Sequence, residues 1–251
     1  MLHVYRDVGE LARHAARLLA DACRKAVAER GVFRMAVSGG STPVHLFRLL
    51  ASQEWAATLP WDKMVIFWVD ERCVAPDDPQ SNFGMTRREL LEHLPNGPAT
   101  VRHARMEGEL EPALAAMRYE ALLRREFSLA AGELPRFDLI LLGMGPDGHT
   151  ASLFPGTTAL DEQTRLVTSL FVPKLQSHRL TLTFPVLNNA SCCCFMAAGA
   201  DKYPALSRAC DLPGATGPQD GDTLPAQRVR PTDGDLVWLV DEAAAQGTGN
   251  A

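Results

Sequence analysis

Residues 138–156 read DLILLGMGPDGHTASLFPG, and this stretch joins an apolar run to a glycine-rich turn. The run Leu139–Leu142 has the length and composition of a buried strand. It leads directly into three glycines spaced G-x-G-x-x-G, which permit a sharp change of backbone direction. Asp147 and His149 lie in or beside that turn. The loop therefore either binds a nucleotide or presents these two side chains.

The glycine spacing is that of a dinucleotide-binding loop, but the residues between the glycines argue against one. Pro146 removes a backbone donor, and Asp147 places negative charge near the expected pyrophosphate. Pro155 follows soon afterwards and leaves little room for a long helix. The sequence therefore favours a turn that exposes Asp147 and His149. A histidine with a pKa near ~6.5 is a natural general base, and the alternative is a histidine that only hydrogen-bonds within the loop.

Outward from this stretch, apolar runs alternate with amphipathic segments along the chain. Strands are predicted at 33–37, 63–69, 137–142, 166–172, 179–184, 192–198 and 236–240. Helices are predicted at 9–30, 43–52, 82–94, 111–131 and 201–210. This alternation predicts an α/β fold in which helices cover both faces of a mostly parallel sheet.

Two stretches lack such periodicity. Residues 212–234 are rich in Pro, Gly and Asp and are predicted to form a loop, and the tail after residue 245 is predicted to fray. No internal repeat or interdomain linker is visible. Residues 1–251 are therefore predicted to form a single domain.

Composition excludes several classes of function. The chain is 46% hydrophobic and 22% charged, with a net charge of −5, which disfavours nucleic-acid binding. No apolar run approaches the length of a membrane span, and no signal-peptide core is visible near the first residue. The six cysteines contain no C-x-x-C, and Cys192–Cys194 are predicted to lie in a buried strand rather than on a metal. A reducing, cytoplasmic location fits this pattern.

Three unusual segments follow predicted strands: Ser38–Thr42, Asp70–Arg72 and the turn at 143–149. In a parallel sheet, ligands bind beyond the carboxyl ends of the strands. We therefore expect these segments to meet at one rim and form the functional site.

The segment SGGSTP at 38–43 lies between a strand and a helix and resembles a phosphate cradle in its chemistry. Gly39 and Gly40 leave their N–H groups accessible, Ser41 and Thr42 add hydroxyls, and the helix N-terminus adds partial positive charge. The segment is not a Walker loop, because no lysine follows the glycines. It is not a nucleophile elbow either, because Ala36 stands where glycine is required. A tight turn with a serine cap is the simpler alternative.

The charged segment at 70–72 ends a very apolar run. Arg72 suits a phosphate or a developing oxyanion, whereas the alternative is a strand that has merely reached solvent. Lys174, Arg179 and Lys202 are further cations near predicted strand ends or a helix start. Together they would complete a site for a doubly charged phosphate, although each alone is also consistent with an ordinary surface charge.

Several motifs together resemble the 6-phosphogluconolactonase family, which belongs with the glucosamine-6-phosphate deaminases. The resemblance runs along essentially the whole chain, and DGHTASLFPG is its most specific piece. The matching stretches are AVSGGSTP at 36–43, DERCVAPDDPQSNFGMTRREL at 70–90, FDLILLGMGPDGHTASLFPG at 137–156, RLTLTFPVLNNA at 179–190, AAGADKYPAL at 197–206 and LPAQRVRP at 224–231.

This resemblance implies a Rossmann-like three-layer sandwich that hydrolyses 6-phospho-D-glucono-1,5-lactone without a metal or organic cofactor. The partner is then a small phosphorylated sugar lactone, and the chain is expected to be a monomer or weak homo-oligomer. Catalytic roles are implied for His149, Asp147 and Arg72. Substrate or phosphate binding is implied for a further set: Gly39, Gly40, Ser41, Thr42, Asp70, Arg179 and Lys202. Lys174 matches a Lys-Pro-rich segment, although no proline follows it here.

Two alternatives have different sequence signatures. The deaminase motif carries a glutamate that helps the histidine open the sugar ring, and the aligned residue here is Phe154. A lactone needs only an activated water and a stabilised tetrahedral intermediate, so Phe154 favours the lactonase. A non-catalytic sugar-phosphate-binding regulator is the second alternative, and the acidic net charge disfavours its DNA-binding form.

Overall fold

The structure, a computed structural model, describes residues 1–212 and 223–246. Within these ranges it contains ten β-strands and eight α-helices. The strands are β1 Leu2–Tyr5, β2 Phe33–Val37, β3 Met64–Trp68, β4 Asp70–Arg72, β5 Arg102–Ala104, β6 Leu139–Leu142, β7 Val167–Val172, β8 Ser177–Leu182, β9 Cys192–Ala197 and β10 Asp235–Asp241. The helices are α1 Val8–Arg30, α2 Ser41–Leu50, α3 Gln53–Ala56, α4 Asn82–Glu89, α5 Pro112–Glu126, α6 Phe184–Leu187, α7 Tyr203–Ala209 and α8 Glu242–Gln246.

Seven strands form a parallel sheet in the order β1-β10-β9-β6-β2-β3-β5. Helices α1, α2 and α4 pack on one face, and α5 and α7 pack on the other. The central strands are apolar on both faces, and all five residues of β3 are buried, as expected for a covered parallel sheet. The predicted three-layer α/β fold is therefore confirmed.

The first helix shows how local sequence sets an element's bounds. Asp7 caps α1, and its Oδ1 accepts a hydrogen bond from the Glu10 N–H at 2.9 Å. Leu11 and Leu19 lie on the buried stripe of the helix. Gly31 ends it in the left-handed conformation at φ 73°. The predicted helix at 9–30 and its glycine stop are both confirmed.

A second, three-stranded sheet in the order β4-β8-β7 was not predicted from the sequence. The strands predicted at 166–172 and 179–184 exist as β7 and β8, but they pair antiparallel and do not join the large sheet. Residues 173–176, which connect them, are too few for a parallel crossover, so the two strands must form a hairpin. The charged segment at 70–72 forms strand β4, which pairs with β8.

Other boundaries also differ from prediction. Strands β1 and β5 were not predicted, and the helices predicted to end at 94 and 131 end at Glu89 and Glu126. Cys193 and Cys194 are buried in β9 and unpaired, as predicted for a strand interior. No helix in the described part of the chain is long and apolar enough to cross a membrane. Of the loop predicted at 212–234, residues 213–222 lie outside the described residues, and so do residues 247–251 of the tail predicted to fray after residue 245.

Candidate active site

A cleft with two lobes lies where β2, β6 and β9 end and where β4 begins the small sheet. The first lobe, of about 230 Å³, is lined by residues 38–43 and 143–146 together with Met196 and Lys202. The second lobe, of about 510 Å³, is lined by Asp147, Phe154, Lys174 and Arg179, among others. Both lobes share a set of lining residues: Asp70, Arg72, Pro146, His149 and Ala151. The three segments singled out in the sequence thus meet at one rim.

The first lobe contains the N-terminus of α2, which begins at Ser41, two residues earlier than predicted. Gly40 precedes it with φ 101° and ψ 178°, a conformation that favours glycine. A Cβ on Gly39 would lie 1.7 Å from Asn82 Oδ1, so this position must also lack a side chain. No side chain among the described residues caps this helix. Its first N–H groups are therefore available to an anion.

Ser38, at the end of β2, has a structural role. Its Oγ donates a hydrogen bond to the Leu141 carbonyl at 2.8 Å, and the side chain is buried. This bond ties the loop after β2 to the neighbouring strand β6. The hydroxyl thus fixes the position of the lobe's backbone.

Glu71, the middle residue of β4, turns away from the cleft and caps helix α4. Its carboxylate accepts hydrogen bonds from the N–H groups of Arg72 (2.8 Å), Asn82 (2.7 Å) and Phe83 (2.8 Å). Burial raises the pKa of Glu71, and these backbone hydrogen bonds oppose the rise. The sequence showed a charge here but not that the charge holds α4 in place.

Asp70, the first residue of β4, is buried and borders both lobes. Its Oδ2 accepts a hydrogen bond from Ser152 Oγ at 2.7 Å, and its Oδ1 accepts one from Asn82 Nδ2 at 3.1 Å. Two neutral donors therefore fix this carboxylate toward the cleft. Sequence reasoning missed Ser152 and Asn82, because each acts through a partner distant in the chain.

The turn after β6 has the geometry that the glycines predicted. The Gly145 N–H donates to the His149 carbonyl at 2.9 Å, and the Gly148 N–H donates to the Gly145 carbonyl at 2.9 Å. Gly148 has φ 76°. A Cβ on Gly145 would lie 2.0 Å from Cε1 of His149, so the imidazole occupies the space that glycine leaves.

His149 is held by Asp147 and Phe154. Its Nδ1 lies at hydrogen-bond distance from Asp147 Oδ1, and its ring stacks on the Phe154 ring with centroids 4.1 Å apart. A carboxylate accepts rather than donates, so Nδ1 carries the proton and Nε2 is left with a free lone pair. Burial lowers the pKa of His149 to about 4, with Asp70 opposing the shift and Lys202 adding to it. The imidazole is therefore neutral at pH 7 and able to accept a proton.

The cations divide between the two lobes. Lys202 lies in the first lobe, where it also pairs with Asp201 at 2.9 Å. Arg179 lies in the second lobe, and its Nη1 donates to Ser177 Oγ at 2.6 Å. Burial and neighbouring Arg72 lower the pKa of Arg179. Lys202 and Arg179 were expected to serve one phosphate, but they line different lobes.

Arg72 borders both lobes. Its Nη1 donates to the Gln80 carbonyl at 2.6 Å, while its buried Nε has no hydrogen-bond partner in residues 1–212 and 223–246. Arg72 also faces Arg179 across the β4–β8 pair. The shared part of the cleft thus carries concentrated positive charge near His149.

No group of three or more His, Cys, Asp or Glu residues in the described ranges is arranged to hold a metal ion. The fold and cleft together define an α/β protein in which a helix N-terminus and a lysine line one lobe beside a neutral histidine.

The chain belongs to the family described as glucosamine-6-phosphate isomerases/6-phosphogluconolactonase, whose sequence model matches residues 6–238. It is 43% identical to the 6-phosphogluconolactonase of a Nostoc species over 219 residues, covering 87% of this chain and 86% of that protein. It is 42% identical to the enzyme of that name from a Synechocystis species, covering 88% and 87%. The crystal structure of 6-phosphogluconolactonase from Thermotoga maritima matches with a TM-score of 0.77 at 28% identity, covering 96% of this chain and 99% of that one. The family resemblance seen in the sequence is confirmed.

Proposed function

We propose that this protein hydrolyses 6-phospho-D-glucono-1,5-lactone to 6-phospho-D-gluconate, a step of the oxidative pentose phosphate pathway. The relatives that match this chain over most of their length are named 6-phosphogluconolactonase. The observation that carries the proposal is His149: a neutral imidazole, bonded through Nδ1 to Asp147, at the junction of an anion-binding lobe and a second polar lobe. This is the arrangement that hydrolysis of a phosphorylated lactone needs.

The phosphate is assigned to the first lobe. The uncapped N-terminus of α2, the hydroxyls of Ser41 and Thr42, and the ammonium of Lys202 all line it. Gly39 and Gly40 bring the backbone close enough to donate hydrogen bonds. Anchoring the phosphate there orients the lactone ring toward His149, which converts attack by water into an effectively intramolecular event.

The sugar ring is assigned to the shared part of the cleft and the second lobe. Asp70 would repel a phosphate, so its role is to accept hydrogen bonds from sugar hydroxyls. Arg179 supplies positive charge on the ring side rather than at the phosphate. This role is the substrate-binding one of the two that the family resemblance implied for Arg179, and the different lobes lined by Arg179 and Lys202 support it.

The reaction then proceeds by general-base catalysis. Nε2 of His149 takes a proton from water while the water oxygen bonds to the lactone carbonyl carbon, and Arg72 stabilises the resulting oxyanion. The carbonyl carbon then loses its bond to the ring oxygen, which receives the proton from His149. The new carboxylic acid releases its proton to solvent. General-base help of this kind contributes a factor of about 10² to 10⁴.

The phenylalanine at position 154 argues against a deaminase. An isomerising deaminase uses a carboxylate beside the histidine, and here an aromatic ring stacks on the imidazole instead. The test compares fresh 6-phosphogluconolactone with glucosamine 6-phosphate in parallel assays. We expect lactone turnover that His149→Ala reduces at least 100-fold, while isothermal titration shows that the variant still binds 6-phosphogluconate.

Three outcomes would contradict this proposal. Ammonia release from glucosamine 6-phosphate would indicate a deaminase. Binding without turnover of either compound would indicate a sugar-phosphate-binding protein. Near-native turnover by His149→Ala would remove His149 from the chemistry.

We also propose that residues 1–251 act as a single domain in the cytoplasm on a small phosphorylated lactone, without nucleic acid, as a monomer or weak homo-oligomer. The net charge of −5 and six unpaired cysteines support this setting. Light scattering coupled to size exclusion tests the oligomeric state, and a gel shift tests nucleic-acid binding.

A further inference from the structure

Lys174 lies against the catalytic histidine's carboxylate partner, although sequence reasoning left its role open. It occupies the short connection between β7 and β8. Its Nζ lies at hydrogen-bond distance from Asp147 Oδ2, while Asp147 Oδ1 contacts Nδ1 of His149. One carboxylate thus bridges an ammonium and the imidazole.

Phe154 contacts both Lys174 and His149. Its ring centroid lies 4.8 Å from Lys174 Nζ and 4.1 Å from the His149 ring centroid. The ammonium and the imidazole therefore share one aromatic wall and one carboxylate. The Lys174 side chain is 52% exposed, so its ion pair with Asp147 alone would be weak. The cation–π contact with Phe154 adds to that ion pair.

We propose that Lys174 is a positioning residue for the reaction, which holds Asp147 so that Nδ1 of His149 stays protonated and Nε2 stays directed at the cleft. This inference rests on the proposed function for its kinetic part. Phe154 assists Lys174 in this role, because its ring packs against both the His149 imidazole and the Lys174 ammonium and limits their movement away from Asp147. A glutamate at 154 would instead compete with Asp147 for Lys174 and for the imidazole.

The charges that face His149 determine what removal of Lys174 should do. Asp70 stabilises the protonated ring, whereas Lys202, Arg72 and Arg179 oppose it. Asp147 and Lys174 add a carboxylate in contact with the ring and an ammonium in contact with that carboxylate. Loss of Lys174 removes one opposing charge and leaves Asp147 uncompensated. Protonated imidazole is then favoured, and the carboxylate is free to rotate away from Nδ1.

The test uses Lys174→Met, which keeps the aliphatic length but removes the charge. We expect kcat at pH 8 to fall about tenfold with KM unchanged, because a misplaced base slows the chemical step without weakening substrate binding. The pH midpoint of the acid limb of kcat/KM should rise by about one unit. Lys174→Arg should restore most of kcat, and Lys25→Met on the exposed face of α1 should change neither quantity.

A spectroscopic readout makes the test independent of turnover. In ¹H–¹⁵N spectra of the ligand-free protein, the His149 ring should show the Nδ1–H tautomer in the wild type and a mixture of tautomers in Lys174→Met. An unchanged tautomer together with an unchanged acid limb would overturn the role of Lys174, as would a fall in the midpoint. Failure of the wild type to hydrolyse the lactone would overturn the proposed function instead, and the spectra would still decide the role of Lys174.

Discussion

At the scale of single residues, the cleft depends on a histidine whose environment removes its charge. His149 lies against Phe154 with its side chain 26% exposed, and burial lowers its pKa to about 4. Three cations near the ring act in the same direction, with Asp70 opposing them. The protein therefore keeps a free base available well below neutral pH.

This lowered pKa predicts an activity that persists in mild acid. An unperturbed histidine would lose half of its base form near ~6.5. Here the imidazole remains neutral down to about pH 4, so kcat/KM should stay level between pH 5.5 and 7.5. Initial rates across that range check this, with the spontaneous hydrolysis of the lactone subtracted. A midpoint close to 6.5 would show that folding leaves the histidine unperturbed.

The same shift affects stability in the same pH window. Between about pH 4 and ~6.5 the unfolded chain binds a proton at His149 that the native chain does not. The contribution of His149 to stability is therefore complete above ~6.5 and declines as the pH falls toward 4. The neutral base is thus obtained at the expense of acid stability.

At the scale of elements, Glu71 connects strand β4 of the small sheet to helix α4. Its carboxylate accepts hydrogen bonds from the N–H groups of Asn82 and Phe83 at the start of α4. Asn82 in turn donates to Asp70 in the cleft. A buried cap thus links the first turn of a helix to a cleft residue.

Removal of this cap should destabilise the fold. We predict that Glu71→Ala lowers the free energy of unfolding by about 1–3 kcal/mol, because buried N–H donors lose their acceptor. The free energy of unfolding of Glu71→Gln should lie between those of Glu71→Ala and the wild type, since the amide retains one acceptor oxygen. Urea denaturation measures both, with Glu29→Ala at the exposed end of α1 as the control. Equal stabilities for Glu71→Ala and Glu29→Ala would show that Glu71 does not hold α4.

The elements also show where sequence reasoning succeeds and fails. Continuous apolar runs identified β2, β3, β6, β9 and β10, because a strand covered on both faces leaves that signal. Strands β1 and β5 lie at the two edges of the sheet, and two of the three residues of β5 are exposed. These edge strands therefore show no continuous apolar run in the sequence. The small sheet was not predicted, because pairing direction depends on connection length rather than on composition.

The candidate site divides in a similar way. Glycine spacing and the local motif pointed to His149 and Asp147, since that information lies within the short stretch 143–149. The supports of Asp70 were not visible, because Ser152 lies 82 residues further along the chain. The division of Lys202 and Arg179 between lobes was also hidden, as it depends on how the two sheets meet.

At the scale of the whole molecule, the cleft lies across the junction of the large and small sheets. Backbone hydrogen bonds through Val69 join the two sheets at this junction: the Val69 N–H donates to the Val37 carbonyl at 3.0 Å, and the Leu182 N–H donates to the Val69 carbonyl at 2.8 Å. Lys202 lies on the side of the large sheet, whereas Arg179 belongs to β8 of the small one. A ligand that fills both lobes therefore contacts both sheets.

This geometry predicts different patterns of hydrogen exchange for two ligands. Inorganic phosphate should slow exchange at the start of α2, in peptides covering residues 38–50, because only the first lobe holds it. 6-Phosphogluconate should slow exchange there and also in β8, at residues 177–182, because its sugar chain reaches Arg179. Lys202→Met should abolish the phosphate effect while β8 remains folded. If phosphate instead protects β8 and leaves the start of α2 unchanged, then the phosphate binds beside Arg179 and Arg72, and the orientation of the substrate in the cleft is the reverse of the one proposed.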